Sequence, residues 1–394
     1  MRVIAATPKW SLNGVNVFSA HLVRELNLRG HDASILLTRP DPGEPESFPL
    51  PQGVPIDRLN VSPGLGLAER SIAFAHVIER LKPCVLLPGY DVALGRISAA
   101  LDPRVRVVGV LHTHEDAYYR FLKQAGPAWN QVVAVSRHIE DTVSRTHPEF
   151  VKHLSRIPCG IAPPPPVDRA PLLAGEPLRV VYGGRLSSNQ KRMFDLLAAI
   201  SQAQGLGARV HLEVAGTGHL EAEMRAKAAD TLAPDSFRFL GALSNEDTLG
   251  LFGRSHVFML MTEREGLPVS LIEAMAMGCV PIVSDLESGV GELIEHGRNG
   301  FLTPRGDTLL PAQILNRLAA DHTLLGRAAA QAEATGRSSE YSAATMAEAY
   351  LEVFERAFRG PDPPRLAVSD WLSALRAAPQ HVAGEEGTGP ASLR

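Results

Sequence analysis

Apolar residues recur along this chain at two periods. Val3-Ile4-Ala5-Ala6 is a short apolar run of the kind that forms a buried strand. Beyond the polar loop from Thr7 to Gly14, the residues Val15, Phe18, Leu22, Val23 and Leu26 recur at helical spacing. Gly30 ends that helix, and HDASILLT supplies the next strand. Strand, glycine-bearing loop, helix and strand are the opening of a doubly wound α/β fold. Residues 40–66, rich in Pro and Gly, read as an irregular surface excursion. The alternation then resumes, with a helix over 68–81, a strand CVLLPG (84–89), a helix near 91–101 and a strand RVRVVGVLH (104–112). QVVAVS (131–136) gives a further strand, and a helix starts at His138.

Four prolines at 163–166 cannot continue a helix or a central strand, so a domain boundary is expected there. The pattern restarts with LRVVYGG (178–184), a helix from Met193, and ARVHLEVAGTG (208–218) with a helix over 219–230. SFRFLGAL (236–243) follows. Asn245 is expected to cap a helix running through Phe252, and SHVFMLM (255–261) is the next strand. CVPIVS (279–284) and an edge strand NGFLTP (299–304) complete this half. The expected domains are 1–168 and 169–340, with a helix at 341–358 crossing back to the first and a partly disordered tail at 360–394. A chain of 394 residues suits two domains.

Composition narrows the function classes. A net charge of −4 gives no case for nucleic acid binding. No apolar run reaches the roughly 18 residues of a membrane span, and the first residues are too short an apolar stretch for a signal peptide. Three scattered cysteines (Cys84, Cys159 and Cys279) indicate a reducing cytoplasm.

The chemistry concentrates in TEREGLPVSLIEAMAMG (262–278). Pro268 suits a helix start and Gly278 its end. Glu265 and Glu273 are eight positions apart, which on one helix means about 12 Å and roughly 80° of rotation. With a helix beginning near Pro268, Glu265 lies in the preceding loop, so the two carboxylates approach one cleft from different directions. The free N–H groups of the helix start lie between them and suit an anion. Arg185 and Lys191, beside Gly184 at a strand's end, fit either a diphosphate or an exposed basic loop. Gly216 sits in a Gly-x-Gly turn after the next strand. Asn13-Gly14 fits a plain turn or a close backbone approach to phosphate. His112, at a strand's carboxyl end, points into the crevice or caps the strand, and a zinc site there lacks an evident third ligand. As a set, these residues describe a site for a nucleoside-diphosphate sugar.

The second half resembles that of the retaining, two-Rossmann glycosyltransferases of family 4. The resemblance rests on GGRLSSNQKR (183–192), EVAGTG (213–218), FLGAL (239–243), EGLPVSLIEAMAMGCVPIVSD (265–285) and SGVGELIEHGRNGFL (288–302). Glu265 and Glu273 match that family's E-x7-E element. The first half matches more loosely, through 13–37, the His112 region, 133–136 and 157–161. The resemblance implies an α/β architecture of two Rossmann-like domains facing across a cleft, known as GT-B. It also implies roles. Arg185 and Lys191 would neutralise the donor diphosphate, Glu273 would bind ribose hydroxyls, and Glu265 would contact the transferred sugar. The backbone of Gly266, Leu267 and Val269 would touch sugar and phosphate. Gly14 would approach the diphosphate and His112 the sugar. A metal-independent front-face substitution is implied, with no cofactor and no metal site. Three departures stand out: Asn13 where a second glycine is common, a six-residue Arg185–Lys191 spacing, and Ser-Gly-Val-Gly at 288–291.

The expected partners are a nucleotide-sugar donor and a glycan, lipid-linked or small-molecule acceptor, with no nucleic acid. The acceptor is expected at 40–66 and 113–127, where Tyr118, Tyr119, Phe121 and Trp129 offer stacking or packing surface. A lipid-linked acceptor would bring this cytoplasmic protein to the inner membrane face. The alternatives are a sugar-nucleotide epimerase of the same fold and a non-catalytic sugar-nucleotide-binding subunit.

Overall fold

The computed structural model describes residues 1–371, apart from 12, 40–49, 62–63, 90–94, 167–171, 174, 188–189 and 368. Two wholly parallel sheets organise it. The first contains β1 (Arg2–Thr7), β2 (Asp32–Leu37), β3 (Ile56–Arg58), β4 (Cys84–Leu87), β5 (Val105–Leu111), β6 (Gln131–Ala134) and β7 (Leu154–Arg156), in the order β3-β2-β1-β4-β5-β6-β7. The second contains β8 (Leu178–Gly183), β9 (Val210–Ala215), β10 (Phe237–Gly241), β11 (Val257–Leu260), β12 (Val280–Ser284) and β13 (Phe301–Thr303), in the order β10-β9-β8-β11-β12-β13. Both have the doubly wound topology, and helices cover both faces. That is why strands such as β4 and β11 are apolar at every position and buried throughout. β13 lies at a sheet edge, as its short sequence predicts.

Local chemistry sets the element ends. The side chain of Asn13 accepts from the amide of Asn16 at 2.9 Å and starts the Gly14–Leu28 helix, so Asn13-Gly14 is a helix cap and not a plain turn. That helix buries Phe18, Leu22, Val23 and Leu26 against the first sheet. The Val269–Ala276 helix ends where Gly278 takes φ +74°, which lets the amide of Cys279 reach back to the carbonyl of Ala274 at 2.9 Å. Ser244, not Asn245, caps the Asn245–Arg254 helix, because its hydroxyl takes the amide of Asp247 at 3.0 Å. This corrects the sequence expectation and leaves the side chain of Asn245 for another use.

Two further segments differ from expectation. The 40–66 excursion contains a real strand, β3, although 40–49 and 62–63 lie outside the described residues. The helix expected near 91–101 is described only at its end, as a 3-10 turn at Arg96–Ala100.

The chain returns to the first sheet at its end. Ile161 and Ala343 exchange backbone hydrogen bonds with the neighbouring segment, Ile161 N to Tyr341 O at 2.9 Å and Ala343 N to Ile161 O at 2.8 Å. The Ala343–Arg359 helix then sets Tyr350 against Phe18, with ring centroids 5.7 Å apart. Residues 361–371 continue as a strap on the same body. The guanidinium of Arg365 donates to the carbonyls of Ala128 at 3.2 Å and Val105 at 3.1 Å. Trp371, only 5% exposed, donates its indole N–H to Arg96 O at 3.0 Å. The described part of the tail is thus anchored at Arg365 and Trp371 although most of its residues are exposed, and residues 372–394 lie outside the described residues.

Candidate active site

One cleft between the two sheets brings together the residues expected to bind the donor: Gly14, His112, Gly184, Arg185, Lys191, Gly216, Glu265, Gly266, Leu267, Val269 and Glu273. Its empty space is about 1260 Å³, open solvent at the mouth included. Parallel topology explains the convergence, since the loops at the carboxyl ends of the strands all open on one crevice.

The Glu265 end is built by two loops of the second sheet. The segment after β8 and the segment after β11 pair antiparallel through Lys191 and Thr262. Glu263 N donates to Gln190 O at 2.8 Å, and Arg192 N donates to Met261 O at 3.0 Å. This zip places the Lys191 ammonium on Glu265 Oε1, which also accepts from the hydroxyl of Thr262 at 2.9 Å. The side chains of Lys191 and Glu265 are 14% and 8% exposed. A pair so withdrawn from water is sensitive to the loss of either partner, because the survivor is left charged and desolvated. Lys191, expected on the diphosphate, is thus paired with Glu265, a contact that neither motif signals.

Arg185 enters the cleft from the same loop. Its carbonyl accepts from the hydroxyl of Tyr182 at 2.8 Å, and Leu186 N donates to Thr217 O at 2.9 Å, so backbone bonds fix this turn. Burial pushes the phenol of Tyr182 far above its ordinary range, which keeps it a neutral donor. Gly216 takes φ +135° and donates to Gly241 O at 2.7 Å, a conformation that favours glycine. The stretch from Arg185 to Lys191 includes 188 and 189, which lie outside the described residues.

Glu273 stands at the other end. It is carried in the second turn of the Val269–Ala276 helix and is 5% exposed. Its Oε1 accepts from Asn245 Nδ2 at 2.8 Å. The ring of His21, reaching from the Gly14–Leu28 helix of the first half, brings Nε2 to 3.9 Å from the same oxygen. Between the two carboxylates lies the start of the Val269–Ala276 helix. Its cap, Pro268, offers no side-chain hydrogen bond, so the first amides stay open to a ligand. The Gly14–Leu28 helix points its own start at the same place, where a Cβ on Gly14 would sit 3.7 Å from Val269. Two positive helix ends therefore face one another across the space between Glu265 and Glu273, which is a setting for an anion.

Gly266 is a point of close approach between the halves. It bridges antiparallel to Thr113, and a Cβ there would lie 2.0 Å from the carbonyl oxygen of His112. Gly289 N donates to Gly266 O at 2.6 Å from behind, so the loop after β12 braces this turn. The imidazole of His112 packs edge-on against Phe18, with centroids 4.9 Å apart. Burial pushes its pKa down to about 3, so it is neutral near pH 7. Burial also raises the thiol of Cys159, another cleft residue, to about 12.

Four contributors escaped sequence reading as site residues. Asn245 stands beside the cap position, where its type suggests a capping role. Thr262 and Gln190 lie inside quoted stretches, but their roles depend on which loops pair. His21 sits on the first helix without any motif. Of the expected acceptor aromatics, Phe121 and Trp129 are core, packed edge to face at 5.0 Å, while Tyr118 lines the cleft. The hydroxyl of Tyr119 lies 2.7 Å from His114 Nδ1. Among the described residues, no group of three His, Cys, Asp or Glu side chains gathers as a metal site, and no helix is long and apolar enough to cross a membrane.

Comparison with known proteins agrees with this geometry. The family model described as Glycosyltransferase Family 4 matches residues 12–163, and the model described as Glycosyl transferases group 1 matches residues 177–321. The chain is 34% identical over 149 residues to the amylovoran biosynthesis glycosyltransferase AmsK of Erwinia amylovora, a match covering 36% of each protein. The chain thus spans only about a third of that relative's length in the match. It is 25% identical over 362 residues to the phosphatidyl-myo-inositol mannosyltransferase of Mycobacterium leprae, covering 87% of this chain and 92% of that protein. In fold it is similar to the Anabaena protein HepE solved with UDP-glucose, at a TM-score of 0.72 and 17% identity, over 90% of this chain and 99% of that one. One family model on each sheet, in the order of the fold and meeting at the cleft, places the chain in glycosyltransferase family 4, the group 1 glycosyltransferases.

Proposed function

We propose that the protein is a retaining glycosyltransferase that moves a sugar from a nucleoside diphosphate to an acceptor hydroxyl without a metal. The observation that carries this reading is the order of groups along the cleft: a carboxylate at each end and two helix starts between them, with Arg185 at the side. Glu273 takes the ribose hydroxyls, the helix starts and Arg185 hold the diphosphate, and Glu265 meets the transferred sugar. Lys191 serves both ends of this job, pairing with Glu265 while keeping positive charge beside the leaving group. In the reaction the bond from the sugar's anomeric carbon to the diphosphate oxygen breaks. The acceptor oxygen bonds to that carbon on the same face, and its proton passes to the departing diphosphate. The fixed cation and amides stabilise the charge that develops there. Neutral His112 orients a sugar hydroxyl without adding charge.

Relatives named for amylovoran biosynthesis and for phosphatidyl-myo-inositol mannosyl transfer support a glycan or lipid-linked acceptor. The test is a panel of UDP-, GDP- and ADP-sugars with extracted acceptors, with the anomeric configuration of the product read by NMR and the assay repeated in EDTA. We expect transfer with retention in EDTA, and about a 100-fold or greater loss in Glu265→Gln. Unchanged turnover in that variant would refute the role given to Glu265. Interconversion of the donor without acceptor would indicate an epimerase instead.

A further inference from the structure

His21 is the feature of the cleft region that the proposed reaction does not use. It is 8% exposed, and its Nε2 is a buried polar atom with no hydrogen-bond partner. Buried polar groups are normally paired, so an orphan beside a site calls for a reason. The nearest charged group is Glu273, whose Oε1 lies 3.9 Å away. That oxygen already accepts from Asn245 Nδ2 at 2.8 Å, but a carboxylate oxygen has a second lone pair to offer.

The two donors come from different halves. Asn245 belongs to the same half as Glu273, so its hold does not change when the halves move. His21 rides on the Gly14–Leu28 helix of the other half, whose start already faces Val269. An approach of about 1 Å would bring Nε2 within hydrogen-bond distance of Glu273. With Oε1 taken from both sides, Oε2 is left to accept from a ligand hydroxyl.

We propose that His21 is a positioning residue that couples cleft closure to the grip of Glu273 on the donor's ribose: on closure, its Nε2–H donates to Oε1. The inference rests on the donor reading given above. It makes coupling reciprocal, because a ribose held on Oε2 favours the closed form and the closed form favours a held ribose. A nucleotide without ribose hydroxyls would not draw on this coupling.

The experiment measures binding of UDP, GDP and ADP by calorimetry to wild type, His21→Leu, His21→Gln, Glu273→Gln and the double variant of His21→Leu with Glu273→Gln. The tightest ligand is then compared with its 2′,3′-dideoxy analogue. His21→Leu should weaken the ribonucleotide about 10-fold to 150-fold, the range expected for loss of one hydrogen bond to a charged group. It should leave the dideoxy nucleotide unchanged. His21→Gln, which keeps an N–H near the same place, should recover most of the loss, and His21→Leu should add nothing in the Glu273→Gln background. Equal losses for both nucleotides, or no loss, would overturn the coupling while leaving the donor reading intact. Failure of all three nucleotides to bind wild type would instead count against the donor reading. The role of His21 then rests on the ligand-free protein, by long-range 15N–1H spectra. A proton on Nε2 and a resonance that shifts in Glu273→Gln support the proposal, and an unprotonated Nε2 overturns it.

Discussion

The two walls of the cleft share one topology and differ in chemistry. The wall on the second sheet carries Arg185, Lys191, Glu265 and Glu273. The wall on the first sheet presents the start of the Gly14–Leu28 helix, the backbone of His112 and Thr113, and a neutral imidazole, with Glu115 at its margin 3.9 Å from Arg264. Charge is therefore concentrated on one wall, and the other supplies dipoles and shape. A highly charged ligand can seat on the second wall first, and the first wall then completes its surroundings. Gly266 fits that division, because it lets the backbones of the two walls meet where any side chain would strike His112 O.

Removing charge from the second wall should have the largest effect. Lys191→Ala leaves Glu265 buried and without its cation and, under the function proposed above, removes positive charge from beside the leaving group. We expect kcat/KM to fall about 100- to 1000-fold in initial-rate assays. His112→Gln, a neutral change on the opposite wall, should cost much less. A loss from His112→Gln equal to that from Lys191→Ala would mean that the first wall also carries the electrostatics.

The contrast between the walls also decides what sequence reading could reach. The residues of the second wall are packed into short motifs at strand ends, so 183–192 and 262–278 announced them together. Each motif, however, says only which loop a residue occupies. The Lys191–Glu265 contact spans 74 positions and exists because β8 lies beside β11 in the sheet. Asn245 was misread because Ser and Asn are both good caps, and the residue one position earlier took the job. Residues on the first wall act through position and not type. His21 has no motif, and its neighbour Glu273 is reached only when two separate sheets meet. Residues 361–371 read as part of a partly disordered tail because the segment from Gly360 is rich in Pro, Gly and Ala. Its hold comes from two side chains, Arg365 and Trp371, whose partners lie far back in the chain.

A second test concerns the neutrality of the first wall. The pKa of His112 is about 3 in the folded protein, against an ordinary value of 6.5. Below pH 6.5 the unfolded chain takes up a proton that the folded protein does not, so stability is lost as the pH falls from about 6.5 towards 3. The loss from this group reaches about 2 kcal/mol at pH 5. Urea melts at pH 7.5 and pH 5 should show that loss in wild type and a smaller one in His112→Gln. Activity should show no ionisation of His112 between pH 5 and 8.

The smallest expected effect lies where the second wall lends a charge to the first. Glu292, behind the Gly266 turn, reaches across to the first half. Its Oε1 accepts from Arg137 N at 2.6 Å, at the start of the Arg137–Thr146 helix, and its Oε2 lies 3.2 Å from the guanidinium of Arg156. The side chains of Glu292 and Arg156 are 20% and 26% exposed, so water screens the pair and its net worth is modest. This clasp joins the two halves away from the residues that line the cleft. Glu292→Gln keeps an acceptor for Arg137 N and loses the charge. We expect donor KM to rise about twofold to fivefold with kcat within about twofold, and the difference to shrink in high salt. A tenfold fall in kcat at unchanged KM would place a charge-dependent part of the chemistry on this contact, and the division between a charged wall and a shaping wall would fail.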